Sequence, residues 1–216
     1  MAIIRVAFRS RQRSDDPWSN DDVRIVAVVL AAGEGRRIGG PKALLPIGGD
    51  SFLAHACRLV ARPGIHAVVA VLGAAAARVQ SEGGVDPAVS LVVNEAWPEG
   101  MLSSVWRGLD AAEALGAQGV LLHPVDHPRV APETIDRVVA ALEAGAFVAV
   151  PTHEERRGHP GGFGPEAILA LRGAPLDRGA RAVLEAHPER VVHVPGDPGC
   201  RMGINTQEQY QKVVGD

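Results

Sequence analysis

The chain has only two cysteines in 216 residues, Cys57 and Cys200. They lie far apart and form no Cys-x-x-Cys pair, so they read as two free thiols in a reducing cytoplasm. Aromatic residues make up only 4% of the chain, too few for the stacking platforms of a nucleic-acid surface. Excess positive charge is absent too. Against 22 Lys and Arg stand 25 Asp and Glu, a formal net charge of −3, and the basic footprint of a nucleic-acid binder is missing. No apolar run approaches the length of a membrane span. Residues 1–20 carry Arg5, Arg9, Arg11 and Arg13 but no long apolar segment before a cleavage site, which argues against a secretory signal. The expectation is a cytoplasmic protein with neither nucleic acid nor membrane as partner.

What is present suits one globular domain. Hydrophobic content is 46% and charged content 22%. The start, AIIRVAF, could add a short strand, and RSRQRSDDPWSNDD after it reads as a polar linker. Residues 1–22 are therefore an extension and 23–216 the domain. From there β-rich apolar runs alternate with helical patterns. Strands are expected at Arg24–Leu30, His66–Leu72, Val89–Val93, Gly119–Leu122, Ala146–Val150 and Arg190–Val194. Helices are expected at Ser51–Ala61, capped by Asp50 or Ser51, and at Ala74–Gln80, Ser103–Leu115, Pro132–Ala144, Pro165–Arg172, Gly179–Ala186 and Thr206–Val213. Continuously apolar strands separated by helices imply a mostly parallel sheet covered on both faces, a Rossmann-like three-layer α/β/α sandwich. Ligands in such folds bind at the carboxyl ends of the strands.

Val28–Pro46 reads VVLAAGEGRRIGGPKALLP: a strand, a glycine-rich turn, then Arg36, Arg37 and Lys42. Backbone N–H groups in such a turn can close on phosphate oxygens while the cations neutralise charge. It is not a P-loop, because Lys42 precedes Ala43 and the Lys-Ser/Thr pair is missing. It is not the dinucleotide fingerprint either. The third glycine position is Ile38, and no acidic residue ends the second strand.

Four further segments carry possible chemistry. In HPVDHP, residues 123–128, Asp126 follows a buried strand between two prolines and could hold Mg²⁺, or act as a cap or turn residue. A zinc site from His123 and His127 would need a helix, which the prolines forbid. In residues 94–112, Asn94, Gly100, Ser103 and Ser104 surround a helix start. They could shape a nucleoside pocket or serve only as turn and cap. RRGHPGGFG, residues 156–164, with Arg157 and His159, looks like a mobile substrate loop. Asn205 precedes the last helix as a ligand or an N-cap.

The first loop resembles the signature L-A-A-G-x-x-x-R-M-G-x-x-K of nucleotidyltransferases. It is carried here by Leu30, Ala31, Ala32, Gly33, Arg37, Ile38, Gly39 and Lys42, with Ile for Met. Asn94–Ser104, Asp126-His127-Pro128, Arg157–Pro160, Gly179–Arg181 and Gly203–Gln209 follow in the order of the molybdenum-cofactor nucleotidyltransferases. The cytidylyltransferase branch is the most similar, because the guanylyl branch tends to read L-A-G-G.

The resemblance spans about residues 24 to 213 and implies a fold of the nucleotide-diphospho-sugar transferase type. It also implies transfer of a nucleoside monophosphate, CMP from CTP, to the terminal phosphate of a molybdopterin-type acceptor. On this reading Arg37, Lys42 and Asp126 are catalytic. Leu30, Ala31, Ala32, Gly33, Gly35, Asn94, Gly100 and Ser103 bind the nucleotide, Arg157 and His159 form a substrate loop, and Asp126 with Asn205 holds Mg²⁺. A molybdoenzyme or its chaperone is an implied partner. Asn205 stands where the family expects Asp, which leaves guanylyl or uridylyl transfer to another phosphorylated acceptor, or non-catalytic cofactor binding, as alternatives.

Overall fold

A computed structural model describes residues 23–214. The expected N-terminal strand and linker lie outside the described residues. The elements are β1 (Ile25–Ala31), β2 (Pro46–Ile47), β3 (Asp50–Ser51), α1 (Phe52–Val60), β4 (Ile65–Leu72), α2 (Ala76–Glu82), β5 (Ser90–Val93), α3 (Met101–Ala114), β6 (Gly119–Pro124), α4 (Pro132–Glu143), β7 (Val148–His153), β8 (Arg156–Arg157), β9 (Gly161–Phe163), α5 (Pro165–Arg172), α6 (Ala180–Ala186), β10 (Val191–Pro195) and α7 (Gln207–Val214). The expected strands and helices all appear, with ends shifted by a few residues. Ser51 is the cap of α1, accepting from the Ala54 N–H at 3.0 Å. The β2–β3 hairpin is too short to leave a period in the sequence.

One sheet runs in the order β10-β7-β9-β6-β1-β4-β5, with β8 paired to β7. β1 lies between β4 and β6, parallel to both. Its side chains alternate between two buried layers. Ile25, Ala27, Val29 and Ala31 pack with Phe52, Leu53 and Ile135 on one face, whereas Val26 and Val28 pack with Leu102, Val105, Leu109 and Leu171 on the other. Burial on both faces is why β1 reads as an unbroken apolar run. Cys57 and Cys200 are buried and unpaired.

The segment 156–164 corrects the expectation of a mobile loop. Gly161–Phe163 is a buried strand, antiparallel to both β6 and β7. Its glycines make close packing possible. A Cβ at Gly162 would lie 2.8 Å from Val138 Cγ1 and 3.0 Å from Leu142 Cδ1. The missing side chains let α4 press on the sheet at the point where the strand is inserted.

Gly162→Val should therefore lower stability by about 1–3 kcal/mol through overpacking against α4. Urea midpoints of the variant and the native protein measure it, and equal midpoints would show that α4 can yield.

Candidate functional site

The site forms where β1, β6 and the chain after β10 meet at the carboxyl end of the sheet. Register brings Leu30 beside Pro124, and the Val125 N–H donates to the Leu30 carbonyl at 3.1 Å. The Ile204 N–H donates to the Asp126 carbonyl at 2.8 Å, which places Asn205 beside the same loop. Gly35 shapes the turn. Its φ is +70°, and a Cβ there would collide with the Gly40 carbonyl oxygen. Gly33 differs, since a Cβ there would meet nothing within 4 Å and would project into open space.

Three polar side chains converge. Lys42 Nζ donates to Asp126 Oδ2 at 2.6 Å and to Asn205 Oδ1 at 2.8 Å. Arg37 Nη2 donates to Asn205 Oδ1 at 3.3 Å. Asp126 Oδ1 accepts from His127 Nδ1 at 2.9 Å. Burial works to raise the Asp126 pKa. Hydrogen bonds from His127 and Lys42, and their charges, outweigh it and hold the carboxyl well below the usual carboxylate range. Asn205 is not the cap of α7. Thr206 Oγ1 accepts from the Gln209 N–H at 3.3 Å, and Gln209 Oε1 accepts from the Asn205 and Thr206 N–H groups.

A cavity of about 280 Å³ opens beside these groups. Of the residues singled out in the sequence, Leu30–Gly33, Gly35, Lys42, Gly100, Ser104 and Asp126 line it. Arg37 and Asn205 reach it only through their bonds to one another and to Lys42. Asn94 and Ser103 do not line it. Asn94 is buried, and its Nδ2 donates to Ser103 Oγ at 2.9 Å and to Ser104 Oγ at 3.0 Å. Ser103 Oγ in turn donates to the Ala96 and Gly100 carbonyls, at 2.9 and 2.8 Å. These two residues fasten the loop to α3, and their polar groups are committed to that task. Ser104, Trp97 and Met101 line the cavity instead. Ser104 follows Ser103 in the first turn of α3, and which of the two faces inward depends on how the helix is rotated.

A second cavity, of about 400 Å³, shares Leu30, Met101 and Pro124 with the first. Its wall is mostly apolar, with Val105, Leu122, Val150, Phe163 and Leu184, and Arg157, His159 and Arg181 add the charged and polar groups. His159 packs edge-on against His127, with ring centroids 4.6 Å apart. Burial, with the nearby His127 charge, pushes the His159 pKa down to about 4.

The MobA-like NTP transferase domain matches residues 27–191. The chain belongs to this family. A nicotine blue oxidoreductase of Paenarthrobacter nicotinovorans is 32% identical over 202 residues, 88% of this chain and 96% of that protein. A molybdenum cofactor guanylyltransferase of Cereibacter sphaeroides is 33% identical over 75% of this chain and 80% of its own length. A 2-C-methyl-D-erythritol 4-phosphate cytidylyltransferase of Cereibacter sphaeroides strain ATCC 17023 is 37% identical, covering 59% of each chain. Among solved structures, Rv0371c of Mycobacterium tuberculosis H37Rv in complex with manganese is 25% identical. It superposes with a TM-score of 0.73 over 89% of this chain and 99% of its own. The MobA-like chain thus has nucleotidyltransferases among its relatives and shares their fold. Among its described residues no helix is long and apolar enough to cross a membrane.

One group near the site has no hydrogen-bonding role. His123, on β6, is fully buried, and among the described residues neither ring nitrogen has a hydrogen-bond partner. Burial, with the charges of His127 and His159, lowers its pKa from 6.5 to about 3. His123 and His159 are thus neutral when folded and free to protonate when unfolded. Their contribution is complete above the unfolded value of about 6.5 and is lost progressively as pH falls from there towards 3–4. The depressed Asp126 carboxyl loses its own contribution only below the ordinary carboxylate range, so it does not act between pH 7 and 5. The urea midpoint should fall between pH 7 and pH 5. His123→Leu should reduce that fall without loss of stability at pH 7, since no hydrogen bond is broken. An undiminished fall would show that His123 is not a source of the acid sensitivity.

Proposed function

We propose that the protein transfers CMP from CTP to the terminal phosphate of a molybdopterin-type acceptor and releases pyrophosphate. The observation that carries this reading is the convergence of Lys42, Asp126 and Asn205 on one point beside a cavity floored by Gly33. An acceptor phosphate oxygen bonds to the α-phosphorus of the nucleotide, the bond from that phosphorus to the bridging oxygen breaks, and the electron pair leaves with pyrophosphate. Such a reaction needs positioning and charge neutralisation more than a covalent nucleophile.

The residues present fit a divalent cation. One carboxylate oxygen and one amide oxygen already converge on a cationic group, and Mg²⁺ is commonly held by one or two carboxylates with the remaining positions left to phosphates and water. Asp126 and Asn205 would hold Mg²⁺, which when bound supplies charge neutralisation at the phosphates. Lys42 would then give up the shared point and turn to the nucleotide, beside Arg37. The glycines of the first loop let the backbone approach the triphosphate, and Ser104 and Trp97 bound the nucleoside side.

The second cavity supports the acceptor class. Its apolar wall, with Arg157 and Arg181 among the lining residues and no carboxylate or carboxamide side chain, suits a flat ring system with a phosphate better than a polyol phosphate. The base is read from Ala31-Ala32-Gly33, where the guanylyl branch tends to have two glycines. Guanylyl transfer is the second reading, favoured by the guanylyltransferase relative, which this chain covers for 80% of its length.

Lys42→Ala should lower turnover by roughly 10²–10³, the range seen when a charge-stabilising contact is lost, with the circular dichroism spectrum unchanged. Near-normal pyrophosphate release would remove Lys42 from the site. NTP-dependent pyrophosphate release also separates a transferase from a chain that only binds a cofactor.

With a molybdopterin-type acceptor, kcat/KM should be higher for CTP than for GTP. The margin is modest, because a single methyl group at Ala32 discriminates by about 1–3 kcal/mol. Equal values, or a preference for GTP, would sink the cytidylyl reading and leave nucleotidyl transfer standing.

A further inference from the structure

We propose that His127 is a positioning residue that aims the Asp126 carboxylate at the cation point. The inference rests on the assignment of Asp126 as a cation ligand. A carboxylate turns easily about its last side-chain bond, because that torsion has broad minima. Among the described residues, the Asp126 carboxylate has two hydrogen-bond partners. Lys42 holds Oδ2 at 2.6 Å and His127 Nδ1 holds Oδ1 at 2.9 Å. An ionised carboxylate only accepts, so Nδ1 carries the proton. Phosphates entering the first cavity draw Lys42 towards themselves. His127 is then the side chain that keeps Oδ1 engaged and leaves Oδ2 at the point it shares with Asn205 Oδ1.

The His127 ring is itself held. Its backbone N–H donates to the Pro124 carbonyl at 3.2 Å, and the ring meets His159 edge-on at 4.6 Å. On another side it lies against Gly203, where an added Cβ would stand 3.1 Å from Cε1 and 3.3 Å from Nε2. Gly203 begins the short segment that also delivers Asn205. The ring therefore spans the space between the wall of the second cavity and the Asp126 carboxylate. Hydrogen bonds of this kind to a ligating group typically alter metal affinity by about 10–100-fold.

The test is Mn²⁺ affinity, read by electron paramagnetic resonance in the presence of non-hydrolysable CTP and GTP analogues. H127F keeps an aromatic ring against His159 and removes the donor. H127N places an amide N–H as many bonds from the backbone as Nδ1 and keeps it. H127F should bind Mn²⁺ about 10–100-fold more weakly, and H127N should restore affinity close to native, with thermal unfolding confirming that both fold. H127A removes the donor equally should H127F fail to fold. Native affinity in H127F, or an equal loss in H127N, would overturn the role of His127. Asp126→Ala serves as the control. If it binds Mn²⁺ as the native protein does, the cation assignment fails and the positioning role fails with it. A weak Asp126→Ala beside a native-like H127F overturns the positioning role alone.

Discussion

The organising interaction of this molecule is the ion pair between Lys42 and Asp126, 84 positions apart in sequence, with Asn205 as its third member. Each of the two charged side chains is less than one-fifth exposed. A largely buried carboxylate is costly unless donors surround it, and here Lys42 and His127 supply them. The same arrangement is the basis of the cation site proposed above. Oxygens that converge on an ammonium group can also converge on a metal ion, and a nucleotide brings the phosphates that give the ammonium somewhere else to go. One cluster thus both offsets the burial of its charges and carries the proposed site.

The sheet exists, in effect, to hold that cluster together. β1 and β6 run side by side, so their ends release the glycine loop and the Asp126 loop at the same height. A backbone bond from Ile204 to Asp126 then draws in the chain that follows β10. Insertion of β9 between β6 and β7 does the remaining work. It places Gly161 and Phe163 in the wall of the second cavity and sets His159 at its edge, against His127. The two cavities therefore share a boundary at Leu30, Met101 and Pro124.

Much of this was legible from residue order. The first loop could be told from a P-loop and from a dinucleotide fingerprint by counting residues, because each alternative demands a particular side chain at a particular step. Lys42, Asp126, Gly33 and Gly35 were accessible for the same reason. The hydrogen bonds that tie Asn94 and Ser103 to the loop were not legible. Both are polar and both flank a helix start, and nothing in sequence tells a hydroxyl that faces a cavity from one that closes a loop. The mobility read into RRGHPGGFG does not hold for Gly161–Phe163, which is a buried strand. Glycine signals freedom when a chain is alone and close packing when a helix such as α4 lies across it.

By itself the sequence determined the alternation of strands and helices, the parallel character of the sheet, the family and the identity of the charged residues. Those follow from short-range rules: apolar periodicity, capping and the spacing of a motif along one loop. Only the tertiary structure decided which of those residues meet. Bringing Lys42 within hydrogen-bond reach of Asn205 requires closing a loop of 163 residues. The rotation of α3, which turns Ser104 inward and ties Ser103 to the loop, depends on how its apolar face seats against β1 and β4. Interactions of that range are set by the packed sheet as a whole, and no local pattern encodes them.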